Sequence, residues 1–93
     1  MILFKNDEGP TRTTLEADVD EKGNLVLSGC DLGDAPREAF GDSDYEWWIA
    51  VPAEHRNAVL LELMKDRFGH ATGTTTFMEW LDARAIPHTF KSL

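Results

Sequence analysis

From Thr13 to Asp20 the chain alternates. Leu15, Ala17 and Val19 fall on one side and Thr14, Glu16, Asp18 and Asp20 on the other, the period of two that a half-buried strand requires. Glu21-Lys22-Gly23-Asn24 follows, with a glycine where a tight turn needs positive φ, and Leu25 to Cys30 reads as the returning strand of a hairpin. A third alternating run spans Asp44 to Val51 and is dense in β-formers. Tyr45, Trp47, Ile49 and Val51 share one of its faces; Asp44, Glu46, Trp48 and Ala50 share the other. Ahead of the hairpin, Asn6-Asp7-Glu8-Gly9-Pro10 is a turn, and Met1 to Phe4 is either a short strand or a loose end. Between the second and third runs, Asp31 to Ser43 reads as a loop, with one helical turn started by Asp34 and ended by Gly41.

The period then changes. Pro52 suits the first turn of a helix, where a missing N–H costs nothing, and Glu54 suits its positive end. Ala58, Val59, Leu60, Leu61, Leu63, Met64 and Phe68 form a broad apolar stripe. Lys65 and Arg67 suit the negative end, and Gly69 closes a helix of about residues 53–68. After a loop from His70 to Thr75, Thr76-Phe77-Met78-Glu79 has the spacing of a capping box. It predicts a second helix to about Ala85, with Phe77, Trp80 and Leu81 inward and Pro87 helping to end it. His88 to Leu93 reads as a last strand with Phe90 inward.

The order β-β-β-α-α-β predicts an α+β fold: a mainly antiparallel sheet of about four strands with two helices packed on one face, in a single domain of residues 1–93. Two helices are too few to cover both faces of such a sheet. If Leu15, Ala17, Val19, Tyr45, Trp47 and Ile49 face the helices, then Glu16, Asp18, Val26, Ser28, Glu46 and Trp48 form an open, acidic face with a large indole in it. The competing reading packs Trp48 as core beneath the 31–43 loop. A one-residue register slip would exchange Trp47 and Trp48.

Charge sharpens this picture. The chain carries a formal net charge of −8 over 93 residues. Residues 1–46 hold 12 acids and 4 bases, whereas residues 47–93 hold 5 of each. The excess belongs to the sheet-forming half. Such a surface repels nucleic acid and anionic membranes and attracts a basic protein partner at long range, although acidity also serves solubility alone. The hydrophobic share of 42% is that of a globular domain, and no apolar run reaches the length of a membrane span. The first residues lack the features of a secretory signal. With the lone Cys30, which allows no internal disulfide, this leads to the expectation of a cytoplasmic protein.

Candidate chemistry is sparse. His55, His70 and His88 show no metal-ligand spacing with one another or with Cys30. Asp42, Asp44 and Glu46 are spaced to share a strand face and could hold a divalent cation weakly, but Trp47 stands where a calcium loop needs glycine, and Ala53 where it needs its closing glutamate. Cys30 has no nucleophile signature and reads as a small buried hydrophobe. Gly69-His70-Ala71-Thr72-Gly73-Thr74 lacks the lysine of a phosphate loop. No cofactor and no catalytic residue is nominated.

The stretch Gly41-Asp42-Ser43-Asp44-Tyr45-Glu46-Trp47-Trp48-Ile49-Ala50-Val51-Pro52-Ala53-Glu54-His55 and the closing Ala85-Ile86-Pro87-His88-Thr89-Phe90 resemble small uncharacterised bacterial proteins, a domain family of unknown function, over about residues 24–93. The resemblance implies a bacterial origin and a compact domain, with some members among toxin immunity proteins, and it implies no activity. The first expectation is therefore a protein-binding module, immunity-like or inhibitory in its sharpest form, that uses Glu16, Asp18, Asp42, Asp44, Glu46 and Trp48. The alternatives are a homodimer joined through a sheet edge or the Trp48 face, and a small ligand-binding or enzymatic domain with a pocket near residues 31–55 that uses Asp42, Asp44, His55 or His88.

Overall fold

The computed structural model describes residues 1–33 and 44–93, and the chain divides into two compact units, Met1–Asn57 and Ala58–Leu93. The fold is α+β, with a four-stranded antiparallel sheet and two α-helices.

The first unit is a meander of β1 (Ile2–Asn6), β2 (Thr11–Val19), β3 (Leu25–Gly33) and β4 (Asp44–Val51), in the spatial order β1-β2-β3-β4. Each strand pairs with its sequence neighbour, as short connections favour. The expected order is corrected at both ends: the additional strand is the N-terminal β1, and His88–Leu93 forms none. β1 is tied down at its start by the Ala17 N–H, which donates to the Met1 carbonyl at 2.9 Å. It reaches the β1–β2 turn at Gly9, whose φ is 85°. The tail after Pro87 has only Phe90 and Leu93 as large apolar groups, and Phe90 is 67% exposed instead of inward. The expected loop at Asp31 begins later, because β3 continues to Gly33 opposite Thr11. The helical turn expected at residues 34–41 lies outside the described residues.

The hairpin turn between β2 and β3 is built on Asp20. Its carboxylate accepts the backbone N–H groups of Lys22 and Asn24, each at 2.9 Å, while Gly23 turns the chain at φ 84°. This is the side-chain mimic of a backbone turn that aspartate makes well. The turn is then clasped from the other end of the unit. Asn24 Oδ1 accepts the Ala53 N–H at 3.0 Å, and Arg56 Nη1 donates to the Gly23 carbonyl at 2.8 Å. Pro52, extended at ψ 147°, leads from β4 into a 3₁₀ turn at Ala53–His55, so the residues that close β4 also fasten the tip of the β2–β3 hairpin.

In the second unit, the helices α1 (Arg56–Phe68, which begins just inside the first unit) and α2 (Gly73–Ala83) form a hairpin. Phe68 meets Phe77 at 5.0 Å and Trp80 at 6.1 Å between ring centroids, and Leu81 is its buried aliphatic residue. The helix expected from the 76–79 capping box starts four residues earlier, with Thr72 at its N-cap. Thr76 lies inside the first turn, and its hydroxyl donates to the Thr72 carbonyl at 3.0 Å instead of capping. Gly73 permits the earlier start: a side chain there would collide with the Phe68 carbonyl, so only glycine lets α2 begin against the end of α1. At the other end the Ile86 N–H donates to Leu81 and the Ala85 N–H to Asp82. This is a Schellman closure, with Ala85 in the left-handed region at φ 54°.

Candidate functional site

Register decides which side chains share a face. Across β2, β3 and β4 the pairs Leu15↔Gly29↔Trp47, Ala17↔Leu27↔Ile49 and Val19↔Leu25↔Val51 build one face. Thr14↔Cys30↔Glu46, Glu16↔Ser28↔Trp48 and Asp18↔Val26↔Ala50 build the other. Over these pairs the first face is apolar and the second is mixed and acidic, which is the division that the alternation predicts; beyond Leu15 the first face continues into Thr13↔Asp31↔Tyr45, where the Thr13 hydroxyl donates to the Asp31 carboxylate. Trp47 lies on the apolar face, half-buried over Gly29, where a Cβ would overlap the indole. Trp48 lies on the mixed face and is 66% exposed.

The mixed face carries a shallow depression of about 190 Å³. Glu16 and Glu46 stand on either side of it from β2 and β4, the indole of Trp48 forms one wall, and Thr14, Ser28 and Cys30 line the rest. Among the described residues neither Glu16 nor Glu46 has an ion-pair partner. Three of the residues nominated from sequence, Glu16, Glu46 and Trp48, therefore come together at one place. Asp18 is on the same face one pair further along β2, opposite Val26. Asp44 is at the far end of β4, opposite Leu32, and Arg12, also opposite Leu32, lies level with it on β2. Asp42 lies outside the described residues, and with it the proposed Asp42–Asp44–Glu46 cation site. Among the described residues no three His, Cys, Asp or Glu side chains are grouped closely enough to hold a metal ion.

Cys30 sits between Thr14 and Glu46 in the depression. Burial raises its pKa above the ordinary thiol value, and the carboxylates of Glu46, Asp44 and Asp31 raise it further. Its sulfur is held as a neutral thiol, the opposite of the electropositive setting that activates a cysteine. His55 is exposed, 3.8 Å from the Glu54 carboxylate, and His88 approaches Asp82 at 3.4 Å beside the C-terminus of α2.

A second concavity, not nominated from sequence, lies in the helical hairpin. It is an apolar groove of about 540 Å³ lined by Leu60, Leu63, Met64, Phe68, Phe77 and Trp80. Leu60 and Leu63 are each more than half exposed. The broad stripe on α1 held the signal for it: α2 is one narrow partner, too small to cover that stripe. Arg84 flanks the aromatic cluster, with its guanidinium 4.0 Å above the Trp80 ring. No helix among the described residues is long and apolar enough to cross a membrane.

Comparison with known proteins finds no match among protein-family models, curated proteins or solved structures.

Proposed function

We propose that this chain is a protein-binding module that takes a basic protein partner on the mixed face of its sheet, with Trp48 as the apolar anchor and Glu16 and Glu46 as its charged contacts. The observation that carries this is the meeting of those three side chains around one depression, with the indole 66% exposed and both carboxylates without ion-pair partners among the described residues. An exposed tryptophan supplies large contact area with few rotors, and such residues dominate binding energy at interfaces. The carboxylates, in a chain of net charge −8, steer a basic partner and set its orientation. Asp18 extends the acidic strip along β2. An inhibitory, immunity-type role in the cytoplasm is the narrower form of the proposal: the acidic face would occupy the basic working surface of its target.

The test is capture on immobilised protein from a bacterial lysate, run side by side with the Trp48→Ala/Glu46→Lys double variant. A basic protein that is retained by the wild type, released by moderate salt and ignored by the double variant supports the proposal. Equal retention by both proteins removes this face as the site.

A further inference from the structure

The two edges of the sheet are built differently. β1 is five residues long, carries Lys5, and shifts register between Ile2 and Phe4. A short strand, a lysine and a bulge are devices by which natural sheets blunt an edge against further pairing. β4, the opposite edge, has none of these. It is eight residues long, contains no lysine, proline or glycine, and keeps one uninterrupted register against β3 from Asp44 to Val51. Over Glu46–Ala50 its outward backbone groups meet no partner among the described residues, and Trp48 and Ile49 are 66% and 55% exposed. A long strand edge in even register is a template for another strand.

The sequence of β4 says which strand fits. A two-fold axis through an antiparallel pair of β4 strands must pass at a residue if the apolar and mixed faces of both copies are to stay aligned. Centred on Trp47, such a pair sets Tyr45 opposite Ile49 and Glu46 opposite Trp48. Centred on Trp48, it sets Trp47 opposite Ile49 and Glu46 opposite Ala50. In both cases every carboxylate faces an uncharged residue, and aromatic side chains face a β-branched residue, which are favourable cross-strand neighbours. β4 is complementary to itself. We infer that the β4 edge is a homodimer interface, in which two copies pair antiparallel about Trp47 or Trp48 to make one continuous eight-stranded sheet. This is independent of a basic partner on the mixed face, and the two respond to salt in opposite ways. Two chains of net charge −8 repel one another, so added salt strengthens the dimer, whereas it weakens the attachment of a basic partner.

The experiment is sedimentation velocity of the full chain from low micromolar to several hundred micromolar, at low and at high salt. The expected result is a reversible shift from 10.5 kDa to twice that mass, at lower concentration in high salt. Trp48→Asp places a carboxylate opposite Glu46 in one register and opposite its own copy in the other, and weakens the dimer roughly tenfold or more. Leu3→Asp, on the blunted β1 edge, leaves it unchanged. Glu46→Gln removes one charge per copy and tightens it, a gain that misfolding does not mimic. A monomer at every concentration overturns the inference. So does a dimer that Trp48→Asp leaves intact, that Leu3→Asp disrupts, or that Glu46→Gln loosens.

Discussion

Gly29 is buried in the middle of β3, directly across from Trp47. Its backbone is not in the left-handed region, so glycine is required there for space. A Cβ at this position would fall 2.7 Å from Nε1 of Trp47 and closer still to the fused edge of the ring. For Gly29→Ala the indole must retreat by roughly 1 Å or more to regain van der Waals separation. Overpacking of this kind costs about 1–3 kcal/mol. Against it stands the entropy that alanine saves in the unfolded chain and the better strand propensity, together about 0.5–1 kcal/mol. The steric cost wins, and Gly29→Ala is expected to destabilise the protein by about 1–2 kcal/mol. With a urea dependence of about 1–3 kcal/mol per molar for a domain of this size, the unfolding midpoint falls by roughly 0.3–2 M. The indole is its own reporter, because its displacement changes the emission of Trp47. In a Trp47→Ala background the methyl has room, so the same Gly29→Ala change becomes neutral or stabilising, and the cycle isolates the coupling. A midpoint that is unchanged or raised by Gly29→Ala in the otherwise natural chain would refute the placement of Trp47 over Gly29. The assignment of Trp47 and Trp48 to their faces would fall with it.

Three further outcomes follow from the same structure. Ala85 closes α2 in the left-handed region that glycine adopts without strain, so Ala85→Gly is expected to raise thermal stability, by about 0.5–1 kcal/mol. Glu46→Gln removes one cause of the raised Cys30 pKa, so alkylation of Cys30 by iodoacetamide near pH 8 becomes faster while the limiting rate at high pH stays the same; an unchanged profile would mean that Glu46 does not reach the thiol. Asp20 has a lowered pKa, chiefly because its carboxylate accepts the Asn24 backbone N–H. Its contribution is therefore present above the unfolded-state pKa and lost as pH falls through the folded one. Asp20→Ala should lower the melting temperature at neutral pH and converge on the natural chain in acid, and a pH-independent difference would contradict that origin.

The elements that sequence periodicity captures here are those whose pattern lies within one short run of residues. The β2–β3 hairpin, the α1 stripe and the two faces of β4 are each written in consecutive residues, and a period of two leaves no choice once the apolar side of β2 and β4 is matched. That is why Trp47 and Trp48 fall on their expected faces, and why Glu16, Glu46 and Trp48 meet. What escaped depends on residues far apart in the chain. Met1–Phe4, left open between a short strand and a loose end, is a strand because β2 offers it an edge, a fact absent from Ile2–Asn6 itself. His88–Leu93 has strand-like alternation and pairs with no strand among the described residues. The capping box at Thr76 is a valid local signal, overridden because Gly73 can approach the Phe68 carbonyl. The clasp of Asn24 and Arg56 on the hairpin tip joins residues about thirty positions apart, and no spacing rule reaches that far. Gly29 is the exception that could have been caught, since a glycine inside a strand pattern signals close approach by another group.

In the proposed complex Trp48 anchors a basic partner on the mixed face of the sheet. This anchoring is tested most directly by the fluorescence of Trp48 as the sole indole, in a Trp47→Phe/Trp80→Phe background, titrated with the basic protein captured by the wild-type chain. A blue shift that saturates with the partner and reverses with added salt is the expected result. An emission spectrum that stays that of a solvent-exposed indole, while sedimentation shows the complex has formed, would contradict it.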